Sequence, residues 1–507
     1  MKQLESQRVR ALAPEMDALR MGMGWTVADL SKPQILVESS FGDSHPGSAH
    51  LLDLANVASA AIQASGGRAA RYFATDICDG MAQGHDGMNY SLPSRDVMAD
   101  LIEIHGRATG FDAAVFIAGC DKSLPAHLIA AGRLNIPCVV VPGGVMSAGP
   151  DMLTLEQLGA YHAQFKRGEI AAEQWRFYER HACPTCGACA FMGTAGTMQV
   201  LSEALGLTLP YAALTPFGDD LTKLARESGE LAVKLALSSI RPRDIVKKAN
   251  FENAIIVHAA ISGSTNALLH IPAAAKAFGV DITPADFDRL HKGAKYVLDV
   301  RPTGKFPSSF VCDAGGVPAI MNEVRASLRL EAMTITGETL GERLDRLKPS
   351  VKNREVIHEI SNNGAIAVLF GNLAPDGAVV KHSAVPKEMF RATLRTRVFD
   401  REEDALNAVL SGEIKPGDAV VIRYEGLRGS GMPEMFYTTA AISADAELAR
   451  QVALITDGRF SGASIGPAIG HVSPEAALGG PIARLRDGDV IELDIERRRL
   501  NVVGWKS

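Results

Sequence analysis

Short apolar runs, each followed by a glycine-rich turn and then a helical spacing of apolar positions, recur through the first part of the chain. The clearest case runs from Asp112 to Gly144. Ala113-Ala114-Val115-Phe116-Ile117-Ala118 is continuous and apolar, as a parallel strand buried on both faces would be. Leu124 to Leu134 has helical spacing, and Cys138-Val139-Val140-Val141 reads as a second strand closed by Pro142-Gly143-Gly144. The unit is βαβ. Gly119-Cys120-Asp121-Lys122 falls at the carboxyl end of its first strand, where open α/β sheets keep their ligand sites. The preceding segment repeats the arrangement: 71–77 predicts a strand with Cys78-Asp79-Gly80 at its end. Helical patterns dominate 154–249 and 283–347.

Near Gly371 the pattern changes. Residues 378–380, 419–422, 452–455 and 490–493 read as short strands between turns such as Pro416-Gly417-Asp418 and Asp487-Gly488-Asp489. The expected fold class is α/β: a domain with a parallel sheet over 1–370, then a smaller β-rich domain over 371–507, with the boundary inside 364–381. At the amino end, Leu4, Val9, Leu12, Met16 and Leu19 have helical spacing, without the basic-then-apolar layout of a signal peptide.

Composition narrows the function. The 507 residues are 47% hydrophobic and 22% charged, as in soluble globular proteins. A net charge of −6 offers no basic field to nucleic acid or anionic lipid, so a small-molecule partner is expected. The most apolar stretch, 128–141, is broken by Arg133, Asn135 and Pro137 and is too short to span a membrane. Seven cysteines, odd in number and clustered, argue against a disulfide scaffold and for a reducing, cytoplasmic compartment.

Candidate chemistry gathers at the cysteines. Cys78-Asp79 and Cys120-Asp121 each pair a soft ligand with a hard one. Cys183, Cys186 and Cys189 lie within seven residues, a spacing that suits half a zinc site, a redox pair or part of an iron–sulfur site. Cys138 and Cys312 read as small buried hydrophobes. Glu434 and Asp457 lie in glycine-rich contexts, and on spacing alone both read as turn residues. Neither a dinucleotide fingerprint nor a Walker-type phosphate loop occurs.

Longer motifs point further. They include Gly84-His85-Asp86-Gly87-Met88, Ser91-Leu92-Pro93-Ser94-Arg95, Gly119-Cys120-Asp121-Lys122-Ser123-Leu124-Pro125 and Gly263-Ser264-Thr265-Asn266. Gly431-Met432-Pro433-Glu434-Met435, Thr456-Asp457-Gly458-Arg459-Phe460-Ser461-Gly462 and Gly470-His471-Val472-Ser473-Pro474-Glu475-Ala476 follow. With these the chain, from about Ile35 to Val502, resembles the family of dihydroxy-acid, phosphogluconate and sugar-acid (aldonate) dehydratases. The resemblance implies an α/β/α domain followed by a β-barrel-like one, and a homodimer or homotetramer. It also implies an iron–sulfur cluster and Mg²⁺ as cofactors.

Carried over by position, Cys120 and Cys189 match cluster ligands, while Asp79, Asp121 and Glu434 match Mg²⁺ ligands. Lys122 matches a lysine carbamylated in the family, and Ser461 matches the catalytic base. His50, Ser264 and Thr265 are candidate substrate contacts. The chain departs from the pattern at Pro46-Gly47-Ser48-Ala49-His50-Leu51, because many members place a cluster cysteine where Gly47 stands. Cys78 is the first choice for the third thiolate, with Cys186 and Cys183 as alternatives, and the loss favours a 4Fe–4S cluster over 2Fe–2S.

The implied reaction is elimination of water from a 2,3-dihydroxy carboxylate to a 2-keto-3-deoxy acid. Mg²⁺ would clamp the carboxylate and 2-hydroxyl, Ser461 would take the C2 proton, and iron would accept the 3-hydroxyl. Cys78-Asp79-Gly80, His258-Ala259-Ala260 and Ala195-Gly196-Thr197 resemble D-xylonate-type enzymes and favour an aldonate such as xylonate or gluconate, hence a role in carbohydrate metabolism. Arg423-Tyr424-Glu425-Gly426 and Cys183-Pro184-Thr185-Cys186 look more like the dihydroxy-acid dehydratases of branched-chain amino-acid synthesis, the alternative. A non-catalytic zinc or redox protein built on Cys183, Cys186 and Cys189 is the competing class.

Overall fold

The computed structural model describes residues 4–238 and 240–505; the first three residues of the amino-terminal segment lie outside that range. The first sheet is formed by β1 (Gln34–Ser39), β2 (Arg68–Phe73), β3 (Ala113–Ala118) and β4 (Cys138–Pro142), in the order β2-β1-β3-β4 and all parallel. Alternation on β3 explains its continuous apolar run. Ala114, Phe116 and Ala118 enter one core, and Ala113, Val115 and Ile117 enter another on the opposite face. Helices Leu51–Ala64 and Asp219–Leu237 cover the second face, while Ser91–Thr109 and Ser123–Leu134 cover the first. The result is an α/β/α sandwich with strand ends aimed at one edge.

The strand expected over 71–77 lies earlier. Ala74 N–H gives a last hydrogen bond, to Ser39 O at 3.0 Å, and the chain then leaves the sheet. Asp76 is buried against His45 at 3.0 Å, so Cys78-Asp79 sits at the end of a connection and not at a strand end. The helical stretch 283–347 is likewise interrupted by β5 (Tyr296–Leu298), which pairs with β6 (Ile357–Ser361).

The second sheet has eight strands: β7 (Ala367–Leu369), β8 (Gly377–Val380), β9 (Arg391–Phe399), β10 (Asp418–Ile422), β11 (Ala453–Thr456), β12 (Ala468–Ser473), β13 (Val490–Asp494) and β14 (Arg499–Val502). Their order is β14-β13-β9-β10-β11-β12-β8-β7. The edges nearly meet: Phe370 N–H donates to Arg498 O at 2.9 Å, and Leu500 N–H donates to Phe370 O at 3.0 Å. Ala367, Val380, Leu394, Val421, Ile455 and Leu493 fill the interior of this barrel-like sheet. Outside it, helices Glu402–Leu410 and Phe436–Ser443 pack on Val420, Ile422 and Leu454. No described helix is long and apolar enough to cross a membrane.

Candidate active site

Loops from both sheets meet around one cavity of about 350 Å³. Cys120-Asp121-Lys122 leaves β3 and leads into helix Ser123–Leu134, with Cys120 N–H donating to Ser123 Oγ at 3.1 Å. Asp79 opens the short helix Asp79–Ala82, and Cys189 precedes helix Thr194–Ala204. Glu434 and Ser461 come from the loops after β10 and β11. A bridge between Glu434 and Arg459 ties those two loops together. The Ser461 loop closes onto the first domain at Gly462, where a Cβ would stand 2.5 Å from Gly193 Cα. Gly462→Ala should therefore displace Ser461 and lower kcat by about 10²-fold, the order expected of a 1 Å misplacement. A crystal structure of the variant with an unmoved loop and full activity would refute this.

Asp79, Asp121 and Glu434 each turn an oxygen into the site, all within 4.8 Å of one another. Lys122, fully buried, donates to Asp79 Oδ2 at 2.6 Å. Ser91 Oγ donates to Asp79 Oδ1 at 2.7 Å and accepts from Arg459 Nη2 at 3.0 Å. Arg459, also fully buried, pairs with Glu434 and stands 3.6 Å from Asp79 Oδ2. Asn266 Nδ2 donates to Glu434 Oε1 at 2.8 Å, Gln83 Nε2 to Glu434 Oε2 at 3.0 Å, and Ala195 N–H to Asp121 Oδ1 at 2.9 Å.

The charges do not balance. Burial would raise the Asp79 carboxyl, but Lys122 and Arg459 outweigh it and hold it below its usual value. Burial, and then the charge of Asp79, pushes Asp121 up to about 7. Burial raises Glu434 as well. Two buried cations thus face three carboxylates, two of them buried and Asp121 half-buried, a donor set of hard oxygens short of positive charge. A hard divalent cation such as Mg²⁺ fits it.

The soft donors lie beside the hard ones. Cys78, Cys120 and Cys189 all line the cavity, all as free thiols. Burial raises each thiol, and Cys120 feels both Cys78 and Cys189 as like charges. Three convergent thiols suit iron, so this donor set fits a cluster. Cys183 and Cys186 do not line the cavity. Cys138 is wholly buried inside β4, its thiol pushed up to about 12 by burial, and is a core hydrophobe as expected. Cys312 is half-buried, 3.6 Å from Thr215 Oγ1.

Ser461 lines the cavity, half-buried, and among the described residues its hydroxyl accepts only from Ala463 N–H at 3.3 Å. The three expected substrate contacts stand behind the wall. His50 Nε2 lies 2.6 Å from Gly143 O and its ring packs on Phe217. Ser264 Oγ lies 3.1 Å from Thr194 Oγ1, and it is Thr194 that reaches the cavity. Thr265 is buried off the wall. Arg459, Asn266, Gln83 and Thr194 escaped the reading of the sequence, although Arg459 and Asn266 lie inside motifs quoted for their neighbours. Asp457 does what its turn suggested: it accepts from Tyr424, Glu425 and Ala476 N–H groups and fixes the loops.

Comparison with known proteins agrees with this architecture. Family models described as dihydroxy-acid/6-phosphogluconate dehydratase N-terminal and C-terminal match residues 32–343 and 354–505. The chain belongs to this dehydratase family. It is 44% identical over 501 residues to dihydroxy-acid dehydratase 1 of Methanosarcina acetivorans, covering 96% of this chain and 90% of that protein. Dihydroxy-acid dehydratases of Caldanaerobacter subterraneus subsp. tengcongensis and Solidesulfovibrio magneticus are 45% and 46% identical, each over 96% of this chain and 89% of the relative. As a member of the family the chain is a hydro-lyase, and the non-catalytic zinc or redox reading gives way.

The same relatives correct the expected substrate. The lean toward xylonate or gluconate, and with it carbohydrate metabolism, is overturned by relatives named for dihydroxy acids. The structure shows why one of its signals, His258-Ala259-Ala260, carried no substrate information. His258 is wholly buried, with Nε2 2.9 Å from Ser264 O and Nδ1 3.1 Å from His291. Thr197 Oγ1 is occupied by Ser264 N–H at 3.0 Å. Neither His258 nor Thr197 lines the cavity, whereas Ala195 and Gly196 of the second triplet do.

Proposed function

We propose that this member of the dehydratase family removes water from a branched 2,3-dihydroxy carboxylate, giving a 2-keto acid for branched-chain amino-acid synthesis. The observation that carries the substrate is identity of 44% held over 96% of the chain with a protein named for dihydroxy acids. The proposed work divides at 370/371. Residues 1–370 hold the cluster through Cys78, Cys120 and Cys189 and most of the Mg²⁺ through Asp79, Asp121 and carbamylated Lys122. Residues 371–507 add Glu434 and Ser461. The missing cysteine at Gly47 favours 4Fe–4S over 2Fe–2S.

When bound, Mg²⁺ would stabilise charge developing on the substrate carboxylate and 2-hydroxyl, and iron would act as the Lewis acid for the leaving 3-hydroxyl. The remaining work falls to side chains. Ser461 takes the C2 proton at Oγ, an unusual base whose pKa has to be lowered by nearby positive charge. Arg459 and Asn266 hold Glu434, and Ser91 holds Asp79, so the acid cluster keeps its shape while substrate exchanges. Phe191, Phe436 and Trp175 on the wall displace water and offer apolar surface to a branched carbon skeleton. The free thiols need a reducing, cytoplasmic setting, and the assembly implied by the family is a homodimer or homotetramer.

Anaerobically purified enzyme should form 2-keto acid from 2,3-dihydroxyisovalerate with kcat/KM at least about tenfold above that for xylonate or gluconate. About 1.4 kcal/mol of discrimination corresponds to that ratio, within what one or two methyl groups supply in an apolar pocket. Faster turnover of the aldonates would reject the branched-acid assignment.

A further inference from the structure

Thr194 opens helix Thr194–Ala204, is 2% exposed and lines the cavity, but it belongs neither to the acid cluster nor to the three thiols. Its hydroxyl oxygen accepts from Asn266 Nδ2 at 2.7 Å and stands 3.1 Å from Ser264 Oγ. The Asn266 nitrogen also faces Glu434 Oε1 at 2.8 Å and Phe460 O at 3.4 Å, so it is the donor end of that amide. Ser264 Oγ in turn accepts from Asn266 N–H at 3.2 Å. Among the described residues neither hydroxyl has a further partner.

Two hydroxyl hydrogens therefore share one oxygen–oxygen contact, and one of them has to point elsewhere. If Thr194 donated to Ser264, the spare hydrogen would belong to Ser264, which is wholly buried and off the cavity wall. A buried donor without an acceptor is costly, so the opposite sense holds: Ser264 donates to Thr194, and the spare hydrogen of Thr194 is offered to the cavity. Both lone pairs of Thr194 Oγ1 are then filled, by Asn266 and by Ser264. The hydroxyl can only donate, and the two bonds it accepts make it a stronger donor. Thr194 also stands where the two halves of the site join. Ala195 N–H, the next along the chain, holds Asp121 Oδ1 at 2.9 Å, and a Cβ on Gly462, beside Ser461, would lie 3.1 Å from Thr194 N.

We infer that Thr194 Oγ1 donates this hydrogen to a carboxylate oxygen of the substrate and is a further catalytic residue of the dehydration. The inference rests on the dehydration of a 2,3-dihydroxy carboxylate under Proposed function, whichever acid that is. A hydroxyl that can only donate needs a partner that can only accept. The hydroxyls of such an acid have hydrogens of their own to place, whereas its carboxylate is an acceptor alone. That carboxylate is bonded to C2, whose proton goes to Ser461. As the C2–H bond breaks, its electron pair spreads onto both carboxylate oxygens, so a hydrogen bond held there strengthens in the transition state.

The test uses the full-length enzyme, anaerobically reconstituted, on whichever of 2,3-dihydroxyisovalerate, xylonate and gluconate the wild type dehydrates fastest. Thr194→Val keeps the shape and loses the hydroxyl, and kcat should fall by about 10²-fold, the scale for one donor to a developing oxyanion. The analogue of that acid without its 3-hydroxyl (2-hydroxyisovalerate in the branched case) keeps the carboxylate and cannot react. Its affinity by calorimetry should also fall, but by less than kcat, and Thr194→Ser should recover both. The visible absorbance and the Mg²⁺ concentration giving half-maximal rate should match wild type throughout. If valine, which turns a methyl toward the Asn266 and Ser264 donors, prevents folding, Thr194→Ala leaves room there for a water and is read in the same way. Full kcat without the hydroxyl overturns the inference, as does a serine variant that recovers nothing. A half-maximal Mg²⁺ concentration that rises as kcat falls also overturns it, because Thr194 would then serve only to hold Asn266 against Glu434. Preference for an aldonate rejects the branched substrate alone, whereas a wild type that dehydrates none of the three acids overturns the proposed function together with this inference.

Discussion

Replacing Ser461 with alanine is expected to lower kcat by about 10²–10⁴-fold, the usual contribution of a positioned general base, while the visible iron–sulfur absorbance stays unchanged. The C2 proton of a 2-hydroxy carboxylate is weakly acidic, because the adjacent carboxylate already carries charge, so its removal needs a base held in place. Ser461 stands on the cavity wall with Asp121 and Glu434, and among the described residues its hydroxyl has no acceptor partner that would fix its proton elsewhere. The backbone around it is held independently of the hydroxyl. Ser464 N–H donates to Ser461 O at 3.1 Å, and Gly462 keeps its contact with Gly193. Alanine should therefore keep the loop, the thiols and the carboxylates in place and remove only the base. KM should move far less than kcat. Near-normal turnover in the variant would pass the proton-abstracting role to another group.

The parts of the fold that were legible in the sequence are those where local pattern and tertiary demand coincide. The run Ala113–Ala118 reads as a strand buried on both faces, which it is, and the loop after it falls where open α/β sheets keep their ligand sites. The first sheet's outer strand was harder. Thr75-Asp76-Ile77 looks like a continuation of 71–74, but Asp76 leaves the sheet to meet His45, a partner 31 residues away that no local pattern announces. The same blindness hid Arg459. Between Asp457-Gly458 and Phe460 it reads as the charged tip of a turn, yet it is wholly buried, because Glu434 and Asp79 approach from distant segments. The substrate lean failed for a related reason. His258 was weighed as a mark of specificity, but its polar atoms are spent on Ser264 and His291.

Loss of Arg459 should show how far those distant approaches depend on one cation. In metal-free protein, Arg459→Met is expected to cost roughly 3–5 kcal/mol at neutral pH, the scale for removing one partner of a buried ion pair. Methionine fills much of the volume, so the cost is electrostatic: Glu434 and Asp79 would remain buried with Lys122, unmodified in the metal-free protein, as their nearest cation. The pH dependence has a definite sign. Burial already raises the Glu434 carboxyl, and removing Arg459 raises it further. A carboxyl raised in the folded state favours folding at low pH, and that advantage is lost as pH climbs through its folded value. Asp79, held down by Lys122 and Arg459, would lose part of its lowering, and with it stability that is present only where it is ionised. Both effects make the deficit of the variant largest near neutrality and smaller toward about pH 5, where buried carboxyls begin to take up protons. Urea unfolding of EDTA-treated wild type and variant at the two pH values measures the difference. A deficit independent of pH would assign the role of Arg459 to packing instead of charge.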